Sequence, residues 1–210
     1  MLSRVRFYLL PTDKVLRDNR WIFISMLIGA LLSLLASLVL SVEALHLAAN
    51  PEGKLSCDIN AVISCGTVNL HASASLFGFP NSFLGLIAEP VVITVAIAGL
   101  AGVRFPRLFM FVAQVGYTLG LVFALWLFYM SFVVIGALCP WCLLVTLTTI
   151  LVWFSITRYN IREKNLYLPA KVQKQFDTVV AKDFDKLAMA ILVVGLVAAI
   201  LIKYGSQLFS

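Results

Sequence analysis

Four cysteines are the residues of this chain whose type and spacing best suit chemistry. Cys57 and Cys65 enclose seven residues and are called the loop pair here, whereas Cys139 and Cys142 form a Cys-x-x-Cys motif and are called the helix pair. Thiols three residues apart meet across one helical turn, and such motifs often include a thiol with a lowered pKa. Thiol–disulfide exchange proceeds by thiolate attack through a mixed disulfide. A relay of two pairs, one accessible to protein and one sheltered in the membrane, fits this layout.

Other interpretations of the cysteines remain open, because four cysteines allow three disulfide pairings. A disulfide between Cys57 and Cys65 could serve only to staple a small loop. Four thiolates could bind structural zinc, although such sites usually carry two tight Cys-x-x-Cys knuckles. Free and inert cysteines are a further alternative, since free cysteine is buried like a small hydrophobe.

The composition of the chain suits a lipid environment. Hydrophobic residues make up 61% of its 210 residues and charged residues 12%, whereas about a quarter of the residues are charged in soluble domains. A helix crosses the hydrocarbon core in about 20 residues, so the chain holds one bundle of about five spans and no second large domain. We predict an all-α integral membrane protein with a single domain over residues 1–210.

Apolar runs predict where the five transmembrane helices lie. The predicted spans cover residues 21–42, 82–102, 108–129, 133–157 and 187–202, with an outer loop over 43–81. The first run has about 22 residues, whereas the apolar region of a cleaved signal peptide has roughly 7 to 15. We therefore expect the first helix to be retained. The outer loop carries the loop pair, and the helix pair lies at the entrance of the fourth span.

The distribution of basic residues predicts the orientation. Five Lys or Arg precede the first span, two lie in residues 103–107 and seven in residues 158–186, whereas the other face has only Lys54 and Lys203. Cytoplasmic loops collect Lys and Arg, so the N-terminus is predicted to be cytoplasmic in an inner or plasma membrane. Both cysteine pairs then face the extracytoplasmic side, where disulfides persist. The basic residues on the predicted cytoplasmic side account for the net charge of +6, so no nucleic-acid partner is expected.

The motifs, taken in order, resemble the vitamin K epoxide reductase family in its bacterial branch. The matching features are Cys57-x7-Cys65, the stretch Leu76-Phe77-Gly78-Phe79-Pro80-Asn81-Ser82-x-x-Gly85, and Cys139-x-x-Cys142 at the start of the fourth helix. The resemblance covers about residues 57–149 and implies a four-helix bundle around a quinone, with a fifth helix outside it. It also leads us to expect the stand-alone form without a fused thioredoxin-like domain.

The resemblance further implies a membrane thiol:quinone oxidoreductase that supports disulfide bond formation. A reduced thioredoxin-fold (DsbA-like) protein, acting in trans outside the cytoplasm, would attack Cys65. Cys57 would resolve the mixed disulfide and pass electrons to Cys139. Cys142 would lie nearest the quinone, of the menaquinone, ubiquinone or vitamin K type, and reduce it.

Two alternative functions belong beside this one. A quinone-linked thiol oxidase of the DsbB type has the same chemistry, but its Cys-x-x-Cys motif lies in the first outer loop and its spaced pair in the second. This chain has the reverse order. A non-enzymatic membrane protein with structural or metal-binding cysteines is the alternative from another class.

Further residues are predicted to contact the quinone. By resemblance, Asn81 hydrogen-bonds a quinone carbonyl, although an Asn at this place can instead cap the following helix. Phe77, Phe79, Phe83 and Trp141 are candidates for the quinone wall. Aromatic side chains are also common at membrane interfaces without any ligand.

Two ionisable residues are candidates for proton transfer. Glu89 lies about two turns inside the second span, where an ionisable group is costly and usually functional or paired. It either carries protons or is a hydrogen-bonded packing residue. His71 replaces a Ser or Thr that many relatives have, and it either exchanges protons near neutral pH or lies solvated in the loop.

Overall fold

The computed structural model describes residues 14–208, with side chains from residue 16 to residue 207. Arg4 and Arg6, counted above in the N-terminal charge, lie outside the described residues. The helices are α1 (Lys14–Ala49), α2 (Cys65–Leu70), α3 (Ser82–Leu100), α4 (Arg107–Tyr129), α5 (Pro140–Arg162), α6 (Ala170–Ala181) and α7 (Phe184–Leu208). A 3₁₀ turn, Ala72–Ser75, follows α2, and a π-helical turn, Met130–Ile135, continues α4.

Five of the described helices are long and apolar enough to cross a membrane, namely α1, α3, α4, α5 and α7. This confirms the predicted all-α membrane fold. With 36 residues, α1 is about 54 Å long at about 1.5 Å per residue, well beyond the roughly 30 Å of a hydrocarbon core. Part of α1 therefore extends past the membrane and can support the outer loop.

Close packing around α1 forms the centre of the bundle. α1 packs along both α3 and α5, and α4 packs on α5. Three buried serines of α1 at four-residue spacing line the contact with α3: Ser33, Ser37 and Ser41. Ser33 donates a hydrogen bond to Glu89 of α3 at 2.9 Å, and Gly85 of α3 lies directly against Ser37. Small residues of this kind let helix backbones approach closely in membranes.

The junction between α4 and α5 differs from the predicted span over 133–157. Residues up to Ile135 belong to the π turn that continues α4. The turn ends at Gly136, whose φ of +75° is left-handed and is readily adopted by glycine. α5 then begins at Pro140, because the fixed φ and missing N–H of proline suit the first helical position. The hydropathy is high across the whole junction, so the sequence predicted the break a few residues too early, at residues 130–132.

The predicted basic loop over 158–186 contains the amphipathic helix α6. Gln173 and Val180 are buried on one side of this helix, and the Gln173 amide donates to the Ile161 carbonyl at 2.9 Å. α7 follows and contacts α5 and α6. Near the other end of α7, the Tyr204 hydroxyl donates to the Phe132 carbonyl at 2.8 Å.

Candidate active site

The Asp58 carboxylate organises the outer loop around the loop pair. It accepts hydrogen bonds from the N–H of Leu55 at 2.9 Å, from the Ser64 hydroxyl at 2.8 Å and from the N–H of Gly66 at 2.8 Å. Although burial opposes ionisation, these donors hold the pKa of Asp58 below its usual range. Ser64 also caps α2 by accepting from the N–H of Thr67. Asp58 thereby holds together the chain on both sides of the loop pair, at Leu55 and at Gly66.

The loop pair forms a disulfide in this structure. The Cα atoms of Cys57 and Cys65 are 5.6 Å apart, and the two residues are 6% and 0% exposed. Apolar side chains of α1 and the loop, including Leu47 and Leu55, pack in the same cluster. The pair expected to meet a soluble protein is thus covered in this conformation, so a partner reaches it only if the loop moves.

A short β-bridge joins the outer loop to the start of α5. It pairs Ile63 with Leu138 in parallel, and the N–H of Ser64 donates to the Leu138 carbonyl at 3.1 Å. Cys139 directly follows Leu138, and Cys65 lies two residues after Ile63. Cys57, Cys65 and Cys139 belong to one buried cluster, and Cys142 packs against it. The structure therefore brings together all four predicted cysteines.

The helix pair lies at the N-terminus of α5 as two free thiols. Cys139 is the N-cap, and its Sγ accepts from the N–H of Cys142 at 3.4 Å. A hydrogen bond from the Cys142 thiol lowers the pKa of the Cys139 thiol, and the N–H groups of Cys142 and Trp141 act in the same direction against the effect of burial. These contacts favour the thiolate form of Cys139. The N-terminal end of a helix dipole favours such a thiolate.

A cavity of about 770 Å³ lies between α1, α3, α4, α5 and the outer loop, and Cys142 is on its wall. Its lining is largely apolar, with a few polar groups such as Thr146 and Glu89. Small-molecule sites commonly have volumes of about 300–1,000 Å³ and this mixture of groups. The cavity therefore suits an apolar ring compound such as a quinone. A further cavity, of about 950 Å³, lies among charged residues and is lined by none of the four cysteines.

The aromatic wall of the cavity differs from the predicted set. Of the predicted residues, Phe79 lines the cavity, whereas Phe77, Phe83 and Trp141 do not. Phe77 and Phe83 each stack on Phe79, with ring centroids 6.0 Å and 6.3 Å away. Trp141 instead packs against the cysteine cluster.

Asn81 lies on the cavity wall, and its amide is engaged with the outer loop. The Asn81 NH₂ donates to the Ser73 carbonyl at 2.6 Å, and its Oδ1 accepts from the N–H of Leu76 at 3.2 Å. It occupies the N-cap position of α3 without a side-chain capping bond. One amide hydrogen remains for a ligand, so contact with a quinone carbonyl stays a prediction.

Both candidates for proton transfer make hydrogen bonds. Glu89 Oε1 accepts from Ser33 and from the Tyr117 hydroxyl, at 2.9 Å and 3.2 Å, which is the hydrogen-bonded packing expected of a buried carboxyl. His71 Nδ1 accepts from the N–H of Ser73 at 3.2 Å and thereby caps the 3₁₀ turn. His71 is thus a local capping group.

Sequence reasoning missed Glu43, which lies beside the loop disulfide. Its Oε1 is 3.3 Å from Cys57 Sγ, and the residue is 8% exposed. One ligand atom each of Glu43, Cys57 and Cys65 lies within 4.8 Å of the others, but both sulfurs belong to a disulfide. A zinc site made of four thiolates would require this disulfide to be reduced. The only signal in the sequence was an acidic residue at the end of a long apolar run.

A family model described as "Vitamin K epoxide reductase family" matches residues 24–157, which is more than half of the chain. The matched interval includes all four cysteines and all of the cavity-lining residues. It ends before α6 and α7, so the match comprises the bundle that surrounds the cavity. No curated protein sequence matches the chain.

Proposed function

We propose, because the chain belongs to the vitamin K epoxide reductase family, that this membrane oxidoreductase is a thiol:quinone oxidoreductase. It oxidises a dithiol protein of the thioredoxin fold outside the cytoplasm, reduces a membrane quinone and supports disulfide bond formation. The DsbB-type alternative has the opposite order of cysteine motifs, and the family match does not support it. A purely structural role for the cysteines does not fit a family of redox enzymes.

The observation that carries the proposal is the placement of Cys142 on the wall of a largely apolar cavity of about 770 Å³. A quinone is soluble in the bilayer and supplies a two-electron, two-proton acceptor at such a site. The residues fit this group, because the cavity offers Phe79 and Phe123 as flat apolar surfaces and Thr146 as a polar group. These residues would hold and orient the ring next to the Cys142 sulfur.

The electron route uses the two pairs in sequence. A partner thiolate attacks Cys65, the bond to Cys57 breaks, and the electron pair remains on the Cys57 sulfur. The partner's second thiol, and not Cys57 as the resemblance implied, then attacks the mixed disulfide, which releases Cys65 as a thiolate and the partner as an oxidised protein. Attack by Cys57 would only restore the loop disulfide and release the partner in its reduced form. Once the helix pair is itself oxidised, the Cys57 thiolate attacks Cys139 and releases Cys142 as a thiolate at the cavity. Cys65 then attacks Cys57, which restores the loop disulfide and releases Cys139 as a thiolate. The shared cluster of Cys57, Cys65 and Cys139 supports direct exchange between the two pairs.

The expected orientation supports a partner outside the cytoplasm. Arg158 and Arg162 lie at the C-terminal end of α5, whereas the helix pair lies at its N-terminal end. By the preference of basic residues for the cytoplasm, the loop disulfide then faces the extracytoplasmic side of an inner or plasma membrane. A thioredoxin-fold dithiol protein is a partner of suitable chemistry there.

Quinone reduction by purified protein tests the proposal. In detergent, with a reduced thioredoxin-fold protein as donor, the wild type is expected to reduce quinone continuously, whereas Cys139→Ala and Cys142→Ala are expected to be inactive. Ser56→Ala, which alters an exposed neighbour of Cys57, serves as the control and is expected to retain the wild-type rate. Full activity of either cysteine variant would refute the mechanism.

A further inference from the structure

A buried carboxyl group without a full set of partners lies against the loop disulfide. Glu43 is on α1, and its Oε1 is 3.3 Å from Cys57 Sγ. Its other oxygen, Oε2, is buried and has no hydrogen-bond partner among the described residues. Buried carboxyl oxygens are normally satisfied, so an unpartnered oxygen beside a reactive sulfur requires an explanation.

Among the described residues, no Lys, Arg or His forms an ion pair with Glu43 that would hold a carboxylate. Apolar side chains of the cysteine cluster, Leu40, Leu47 and Leu55, are buried in this region. The titratable groups that interact electrostatically with Glu43 are Asp58 in the outer loop, and Cys139 and Cys142 at the start of α5. All three are acids. On α1 itself, His46 follows three residues later and is exposed.

A neutral carboxyl therefore suits the disulfide form of the site. An uncompensated buried carboxylate is costly, whereas a carboxylic acid carries one O–H that can point at sulfur. A disulfide sulfur is only a weak acceptor, but a thiolate released at the same position would be a strong one. The proton would then already be in place for transfer over one hydrogen bond.

We propose that Glu43 is a catalytic residue, the proton donor and acceptor for Cys57. When a partner thiolate attacks Cys65, the disulfide bond breaks, a bond between Cys65 and the partner sulfur forms, and the Cys57 sulfur leaves with the electron pair. Glu43 gives its proton to that sulfur and becomes a carboxylate. It takes the proton back when Cys57 attacks Cys139 of the oxidised helix pair. This role rests on the proposed function, which supplies the partner thiol and the quinone as final acceptor.

The ionisation of Glu43 and the ionisation of Cys57 are energetically coupled, because Glu43 Oε1 and Cys57 Sγ are 3.3 Å apart. A carboxylate and a thiolate that close repel each other, so the two groups share one proton and titrate as a pair. General acid catalysis by a positioned group contributes about 10²-fold to 10⁴-fold to a rate. Removing the carboxyl should therefore change both the titration of Cys57 and the rate at which the disulfide opens.

The first experiment measures the titration of Cys57 in the full chain. Cys65→Ala, Cys139→Ala and Cys142→Ala together leave Cys57 as the single thiol, and its alkylation by iodoacetamide is followed by mass spectrometry as a function of pH. Adding Glu43→Gln is expected to lower the midpoint by about one pH unit, since a neighbouring negative charge no longer opposes the thiolate. An unchanged midpoint would overturn the proposal.

The second experiment measures how fast the loop disulfide opens. In a background of Cys139→Ala and Cys142→Ala, dithiothreitol reduces the disulfide between Cys57 and Cys65. Glu43→Gln is expected to slow this step about 100-fold, and Glu43→Asp, which retains an acid, by less. Equal rates in all three proteins would contradict the role. If Glu43→Gln misfolds, the reduction rate of Glu43→Asp relative to the wild type still tests the role of Glu43, because this variant retains a carboxyl group.

Glu52→Gln is the matched control for charge. Glu52 is an exposed carboxyl five residues before Cys57, and its replacement should leave both measurements unchanged. A shift equal to that of Glu43→Gln would attribute the effect to general charge and overturn the proposal. Neither assay uses quinone or a protein partner. If Glu43→Gln shifts the Cys57 titration but the wild type reduces no quinone, the proposed function is refuted. If the wild type reduces quinone but the Cys57 titration does not shift, the role of Glu43 is refuted.

Discussion

At the scale of single residues, Asp58 holds the loop disulfide in position through two backbone N–H groups and the Ser64 hydroxyl. Asp58→Asn is expected to destabilise the protein by about 2 kcal/mol at neutral pH, because hydrogen bonds to a charged acceptor contribute about 1.5–3 kcal/mol and the amide retains only part of them. Thermal unfolding in detergent measures the difference, with Glu52→Gln as the control for loss of an exposed charge.

The pH dependence of this difference has a defined sign. The folded pKa of Asp58 is lowered, so its stabilising contribution is fully present above the unfolded pKa of about 3.9. It is lost as the pH falls through the lower, folded pKa. The stability gap between wild type and Asp58→Asn should therefore be constant near neutrality and shrink in strong acid. A gap that widens as the pH falls would contradict this account of the loop.

The same scale shows which site residues the sequence can predict. The cysteines were predicted because each pair is close in sequence and its spacing forms a recognisable motif. Asp58 lies within Cys57-x7-Cys65, but its function depends on N–H groups that only the folded loop aligns. Glu43 lies 14 residues before Cys57, and nothing in the intervening sequence predicts that α1 and the loop bring the two into contact.

At the scale of elements, the distance between α1 and α3 depends on Gly85. A Cβ atom on Gly85 would lie 2.1 Å from Ser37 Oγ and 2.9 Å from Ser37 Cβ. Rotating the Ser37 hydroxyl relieves only the first of these contacts, so Gly85→Ala must move the helices apart. We expect a loss of stability of about 1–3 kcal/mol, as for other overpacked sites.

Gly120→Ala is the matched control. Both glycines line the cavity, but a Cβ on Gly120 would meet nothing within 4 Å. Alanine also has the higher helix propensity, so this variant should be as stable as the wild type. Thermal unfolding of the two variants side by side tests the packing argument. Equal stability of both would show that the contact between α1 and α3 is not tight.

Elements were predicted to the extent that hydropathy defines them. The five membrane helices follow from apolar runs, since lipid requires every backbone group of a span to be paired within a helix. The break between α4 and α5 was predicted at residues 130–132 instead of 136–139, because Gly136 and Pro140 act through backbone geometry inside a continuous apolar stretch. α6 was missed because its polar face and short length resemble a basic loop.

At the scale of the whole molecule, Arg158 ties three helices together at the end opposite the helix pair. Its guanidinium contacts Asp18 of α1 at 3.2 Å and Asp185 of α7 at 2.8 Å, and its side chain is 10% exposed. Removing one partner of a buried ion pair costs about 3–5 kcal/mol, because the other charges are left uncompensated. We expect Arg158→Leu to lose about 3 kcal/mol of stability.

Lys186→Leu provides the control for this prediction. Lys186 pairs with Asp183 at 2.9 Å, but both side chains are more than half exposed. Exposed pairs contribute about 0–1 kcal/mol, so this variant should unfold close to the wild type. Thermal unfolding in detergent measures both variants. Similar losses of stability in the two would contradict the idea that burial makes the ion pairs of Arg158 more stabilising than an exposed pair.

The transfer of electrons from the loop pair to the helix pair is the central claim about the molecule, and trapping it as a covalent bond tests it most directly. In a protein carrying Cys65→Ala and Cys142→Ala, only Cys57 and Cys139 remain. Mild oxidation is expected to join them rapidly in a disulfide, which mass spectrometry of proteolytic fragments identifies. The protein with Cys65→Ala and Cys139→Ala, which leaves Cys57 and Cys142, should cross-link far more slowly. Cross-linking of Cys57 to Cys142 as fast as to Cys139, or no cross-link to Cys139 at all, would contradict the proposed relay.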